Sequence, residues 1–135
     1  MPGFELPGVF GQVASDSLRG KIVYVDFWAS WCGPCRQSFP WLRTLHERYG
    51  DQGLAIVAIN LDKDRAVAER FLAKYPAPFR VAFDPAGKTA DAFHVQALPS
   101  SFLIGRDGRL LEGHAGFDPK YATSIESRIK KECAP

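Results

Sequence analysis

The sequence predicts an α/β fold in which helices cover both faces of one sheet that mixes parallel and antiparallel strands. Three stretches predict it. Ile22-Val23-Tyr24-Val25-Asp26-Phe27-Trp28 is almost unbroken apolar, β-branched and aromatic sequence, the pattern of a central strand buried on both faces. A helix-type pattern follows to about Tyr49, and Leu54-Ala55-Ile56-Val57-Ala58-Ile59 supplies a second such run, so the two strands pair in parallel through a right-handed crossover. Nearer the C-terminus, Arg106-Asp107-Gly108-Arg109 carries the Asp-Gly signal of a hairpin, which sets residues 101–104 antiparallel to residues 110–114.

In chain order, residues 1–11 combine Gly, Pro and aromatic side chains and read as an extended arm. Residues 12–20 complete a small hairpin and a turn, with Leu18 in the core and the arm covering a sheet edge. Asp26 then interrupts the first central strand. A carboxylate there is unfavourable unless hydrogen-bonded or neutralised, and burial raises its pKa, so either it performs chemistry or it reaches solvent at a strand end. Trp28 and Trp31 bracket the turn that follows. Core packing suits Trp28 as well as a rim position does, whereas Trp31 is expected at an exposed rim, an apolar landing for a protein partner. Along the helix, Phe39, Trp41, Leu42 and Leu45 face inward and Arg36, Arg43, Glu47 and Arg48 outward, with a kink expected at Pro40. Arg36, just beyond Cys35, reads as part of a solvated face, the alternatives being a group that favours a thiolate or one that steers acidic partners.

Residues 50–53 stop that helix, and Asn60 to Asp64 end the second strand and cap a helix over residues 65–75. Pro76 and Pro78 stop it. Residues 79–83 read as a strand, Asp84-Pro85-Ala86-Gly87 as a turn and residues 88–93 as a short helix. Pro99, on its own, reads as a trans proline opening a strand. Asp118-Pro119 begins the last helix, which packs Tyr121, Ile125 and Ile129 on the sheet and turns Glu126, Arg128, Lys130 and Lys131 to water. Cys133 falls where chains fray and reads as incidental, the alternative being an intermolecular disulfide or a second redox thiol. His46, His94 and His114 have no constellation around them.

At 135 residues the chain fits one domain, 1–135, able to bury about two-thirds of its unfolded surface. Hydrophobic residues at 46% and charged ones at 24% are an ordinary globular balance, and a formal charge of +2 is too small to argue for nucleic acid. No stretch approaches the roughly 18 to 20 apolar residues that cross a bilayer. The opening residues lack the basic and apolar regions of a secretory signal, so the chain is either cytoplasmic or a mature domain whose signal or anchor is missing.

The chemistry concentrates in Trp31-Cys32-Gly33-Pro34-Cys35, where the first strand gives way to its helix. A helix starting there leaves backbone N–H groups unpartnered and sets the positive end of its dipole beside Cys32, and both favour a thiolate. Cys32 is therefore expected to attack. Cys35, one turn on, is expected to resolve the mixed disulfide. Gly33 allows a tight turn between the thiols, and Pro34, lacking an N–H, suits the first helical turn. Zinc is disfavoured as an occupant, since the remaining Cys133, His46, His94 and His114 form no second pair at ligand spacing.

With "VYVDFWASWCGPCRQSFPWL" and the later "ALPSSFLIGRDGRLL", the chain resembles the thioredoxin superfamily, within it the TlpA/ResA/CcmG-like thiol-disulfide oxidoreductases, over about residues 4–129. The resemblance implies a thioredoxin-like three-layer α/β/α fold with a helix-strand insertion over residues 61–88. It implies a cis Pro99 facing the two cysteines, with Leu98 offering its backbone to an extended substrate. Asp26 matches a thioredoxin Asp that takes the resolving thiol's proton, where many TlpA-like proteins carry Asn. The implied activity is reduction of protein disulfides by a monomer without a bound cofactor, in cytochrome c maturation or other extracytoplasmic thiol reduction. Electrons would come from an upstream dithiol donor, a membrane thiol carrier outside the cytoplasm, or thioredoxin reductase if the chain is a general cytoplasmic thioredoxin. A peroxiredoxin-type peroxidase fits less well, since such enzymes place Thr-x-x-Cys at this point, and a non-catalytic binding module would need neither cysteine.

Overall fold

Seven consecutive buried residues, Ile22–Trp28, form strand β3, and seven more, Leu54–Asn60, form β4 beside it, parallel and in register from Ile22↔Leu54 to Trp28↔Asn60. The structure is a computed structural model that describes residues 1–134. Before β3 come β1 (Glu5–Gly8), β2 (Gly11–Ala14) and a 3-10 turn, Ser15–Leu18. After it come α1 (Gly33–Tyr49), then, beyond β4, α2 (Arg65–Lys74), β5 (Arg80–Phe83) and α3 (Lys88–Ala92). The chain closes with β6 (Ser100–Ile104), β7 (Leu110–Ala115) and α4 (Pro119–Cys133). All seven strands join one sheet in the order β2-β1-β5-β4-β3-β6-β7, with β3–β4 and β4–β5 parallel and the other pairings antiparallel.

Alternation along β3 assigns its two faces. Ile22, Tyr24 and Trp28 pack with Phe39, Leu42 and Leu45 of α1, Phe71 of α2, and Ile125 and Ile129 of α4. Val23, Val25 and Phe27 pack instead with Ala90, Phe93 and the arm residues Phe4 and Leu18. The arm is tied down by Ser15, whose N–H donates to the Phe4 carbonyl (2.9 Å) and whose Oγ accepts the Phe4 N–H (2.9 Å). Where β1 meets β5, a Cβ on Gly8 would stand 2.6 Å from the Gly11 carbonyl oxygen and 2.9 Å from that of Val81, so this crossing requires glycine.

Two expectations need correction. Cys133 does not fray. It ends α4 buried in the core, because it continues the i, i+4 row of Ile125 and Ile129 on the helix's apolar face. Glu126 is half-buried rather than free in water, accepting from Arg48 Nη1 (2.6 Å) and Tyr49 OH (2.9 Å) and so tying α4 to the end of α1. The α1 helix continues through Pro40, which lies on its exposed side where water can serve the carbonyl that the ring leaves without a donor.

Candidate active site

Cys32 is the N-cap of α1, with an extended backbone (φ −89°, ψ 112°), and its sulfur accepts the backbone N–H of Cys35 at 3.3 Å. One of the helix's unpartnered donors is thereby aimed at the sulfur where negative charge would reside. Cys32 and Cys35 are joined in a disulfide. Cys32 retains 5% of its surface and Cys35 none, so the first sulfur is the one that another molecule can touch. Around it, Trp31 is 70% exposed, and Gly33 and Pro34 are exposed as well. Gly33 departs from expectation: its φ is not positive and a Cβ there would meet nothing within 4 Å, so the turn does not depend on glycine.

Loop geometry comes from the neighbouring strand. Asp62, just past β4, accepts the Ser30 N–H (2.9 Å) and Ser30 Oγ–H (2.9 Å), and also the Asn60 side-chain amide (2.8 Å). Its own N–H donates to Asn60 Oδ1 (2.9 Å). This buried clamp fixes the backbone one residue before Trp31. Sequence reasoning missed it, reading residues 60–64 as a strand end and a helix cap; Asp64 is indeed that cap, accepting the Ala66 N–H. Only the parallel register Trp28↔Asn60 brings Asp62 beside Ser30, and no short motif carries that information.

On the far side of β3, the Leu98–Pro99 peptide bond is cis. Pro99 is buried at the start of β6, its carbonyl accepting the Gly116 N–H (2.7 Å), and Leu98 packs against the apolar cluster that contains both cysteines.

Asp26 lies on β3 opposite Ser101 of β6, which in turn lies opposite His114 of β7, so the three form a row across the sheet. Above this row Tyr121 OH bonds Tyr24 OH (2.9 Å) and Ser101 Oγ (3.0 Å), and the Tyr121 ring stacks on His114 with centroids 3.7 Å apart. Asp26 Oδ2 is buried without a hydrogen-bond partner among the described residues. Burial alone then pushes its pKa from the ordinary 3.8 to about 8, with no donor to hold it down. Cys133, the remaining cysteine, is reduced and buried, and its burial pushes that thiol up.

The Redoxin family matches residues 1–129 of the chain. Thiol-disulfide oxidoreductase ResA of Bacillus cereus is 32% identical over 96% of this chain and 75% of its own length. Among solved structures, a Chlorobium tepidum protein provisionally named thiol:disulfide interchange protein DsbE is 47% identical, with a TM-score of 0.96 over 98% of this chain and 94% of its own. The exposed lipoprotein thioredoxin Etrx1 of Streptococcus pneumoniae is 28% identical, with a TM-score of 0.83 over 96% of this chain and 99% of its own.

Proposed function

We propose a reductant's role for this chain, which belongs to the Redoxin family and, within it, to the ResA-like thiol-disulfide oxidoreductases. Its substrates are disulfides in extended segments of other proteins, and its electrons pass through Cys32 and Cys35 rather than a bound cofactor. One observation carries the reading: the Cys35 N–H points at Cys32 Sγ in the first turn of α1, a donor poised for a thiolate.

The Cys32 thiolate attacks one sulfur of the substrate disulfide. That bond breaks, a Cys32–substrate disulfide forms, and the other substrate sulfur leaves as a thiolate that takes a proton from water. Cys35 then passes its proton to Asp26 and attacks Cys32, releasing the second substrate thiolate, which is protonated in turn. Two electrons have moved to the substrate, and the Cys32–Cys35 disulfide remains. Burial holds the Asp26 carboxyl near 8 rather than 3.8, so it is its ionised fraction, growing as pH approaches 8, that takes the Cys35 proton.

The substrate segment pairs with the Leu98 backbone beside Pro99 and lies against Trp31 and the exposed Gly33-Pro34 turn, so main-chain recognition admits many sequences. We place the reaction outside the cytoplasmic membrane, with a membrane thiol carrier as donor and cytochrome c apoproteins among the substrates, and with the chain acting as a monomer. The expected reduction potential lies nearer thioredoxin's, about −270 mV, than that of the oxidant DsbA, about −120 mV. Equilibration with defined glutathione or dithiothreitol buffers measures it, and a value above about −180 mV reverses the proposed direction. Turnover with thioredoxin reductase as efficient as with dithiothreitol would assign the chain to the cytoplasmic system instead.

A further inference from the structure

Next to the loop that carries Trp31, a groove of about 420 Å³ opens towards α2, walled by the rings of Trp31, Phe71 and Tyr75 and by the cations Arg36, Arg70 and Lys74. These three cations belong to two elements and converge on one space. None pairs with a carboxylate among the described residues, and Arg36 finds only the Ser30 carbonyl, at 3.4 Å. Nearby acids do not compensate them: Asp62 is buried with its oxygens occupied by Ser30 and Asn60, and Glu69 lies 3.9 Å from Arg65. Arg70 and Lys74 also stand i, i+4 on α2, where like charges repel, a cost that the place of Lys74 in the helix's last turn offsets only in part.

The geometry points to a docking groove for the acidic flank of a disulfide substrate, a segment whose Asp or Glu side chains meet Arg36, Arg70 and Lys74 while its neighbouring cysteine reaches Cys32. This rests on the reading of Cys32 as the attacking sulfur. A peptide suits the groove better than a membrane surface does. The space is recessed and ring-walled, and Trp31 on its rim immediately precedes Cys32, so a segment held covalently at that sulfur passes directly into it. The clamp from Asp62 to Ser30 presets the backbone of the near wall, so little conformational freedom is lost there on binding.

Two synthetic peptides closed by one disulfide, identical except for Glu or Lys beside the cysteines, test the proposal. Each rate is divided by that of the same enzyme on uncharged hydroxyethyl disulfide. The Glu peptide is expected to show a kcat/KM about tenfold higher than the Lys peptide at low ionic strength, carried by KM, and to lose that advantage at high salt. Arg70→Glu/Lys74→Glu should reverse the order. A ratio within about twofold, or one indifferent to both salt and the substitutions, overturns the groove as a docking site. So does salt-sensitive binding to phosphatidylglycerol vesicles without peptide preference. Failure to reduce hydroxyethyl disulfide sinks the reductant reading instead, and anisotropy binding of labelled Cys-to-Ser forms of both peptides then decides the groove by itself.

Discussion

A carboxyl buried as Asp26 is keeps its proton to about pH 8, while the same group in the unfolded chain releases it near 3.8. Below about pH 4 both states are protonated and the group is neutral for stability. Between about 4 and 8 the unfolded chain binds fewer protons than the folded one, so stability falls as pH rises, and above 8 the full penalty of several kcal/mol is present. Asp26→Asn removes that slope. Relative to the variant, the oxidised wild type should lose denaturant resistance from pH 4 to pH 8 and be the less stable of the two at pH 8; parallel curves would mean that Asp26 titrates normally. The same substitution should let the Cys32–substrate mixed disulfide accumulate and slow its resolution roughly a hundredfold, read by acid-quenched mass spectrometry. Cys133 behaves oppositely to an exposed thiol. In the fully reduced protein, Ellman's reagent should consume two thiols rapidly and the third only on unfolding, since burial both hides that sulfur and raises its pKa.

Elements, more than single residues, aim the redox pair. The end of β4 holds the turn between β3 and α1 through Asp62, and Asp62→Ala would strand the Ser30 N–H and the Asn60 amide. Stability is expected to drop by about 1–3 kcal/mol. The larger effect should be on protein disulfides, with KM rising more than kcat falls, because the loop presenting Trp31 loosens while the sulfur chemistry at α1 persists; equal losses on insulin and on hydroxyethyl disulfide would contradict this. β3, β4, α1 and the redox pair at their junction were legible in the sequence, since burial on both faces writes unbroken apolar runs and a helix start beside a cysteine is a local signal. The Asp62 clamp and the Asp26–Ser101–His114 row were not. Both depend on register between strands distant along the chain, which no window of the sequence contains. Cys133 was misread for a different reason: nearness to the terminus outweighed its i+4 spacing from Ile129, and packing on the sheet decided the matter.

At the scale of the whole molecule, the question is whether the N-terminal arm belongs to the same cooperative unit as the redox site. Only Gly8↔Ala82 joins β1 to β5 in the ladder, with Val9 N–H donating to the Val81 carbonyl (3.2 Å) just beyond it. Main-chain pairing is therefore thin, and an arm held by it alone would open independently. Apolar burial argues otherwise. Leu18 is 1% exposed and Phe4 9%, and both pack into the cluster that contains Val23, Val25 and Phe27 of β3, the strand that leads into the cysteines. We expect one domain spanning residues 1–135. Leu18→Ala should then lower the stability of the entire fold by about 2–5 kcal/mol, as the lost contacts and the cavity left behind are shared by the central strand. In denaturant the midpoint should move while the slope holds, with far-UV circular dichroism and tryptophan fluorescence coincident. A smaller slope, or fluorescence that lags the backbone signal, would show the arm melting ahead of the sheet and would confine the cooperative unit to the residues after it.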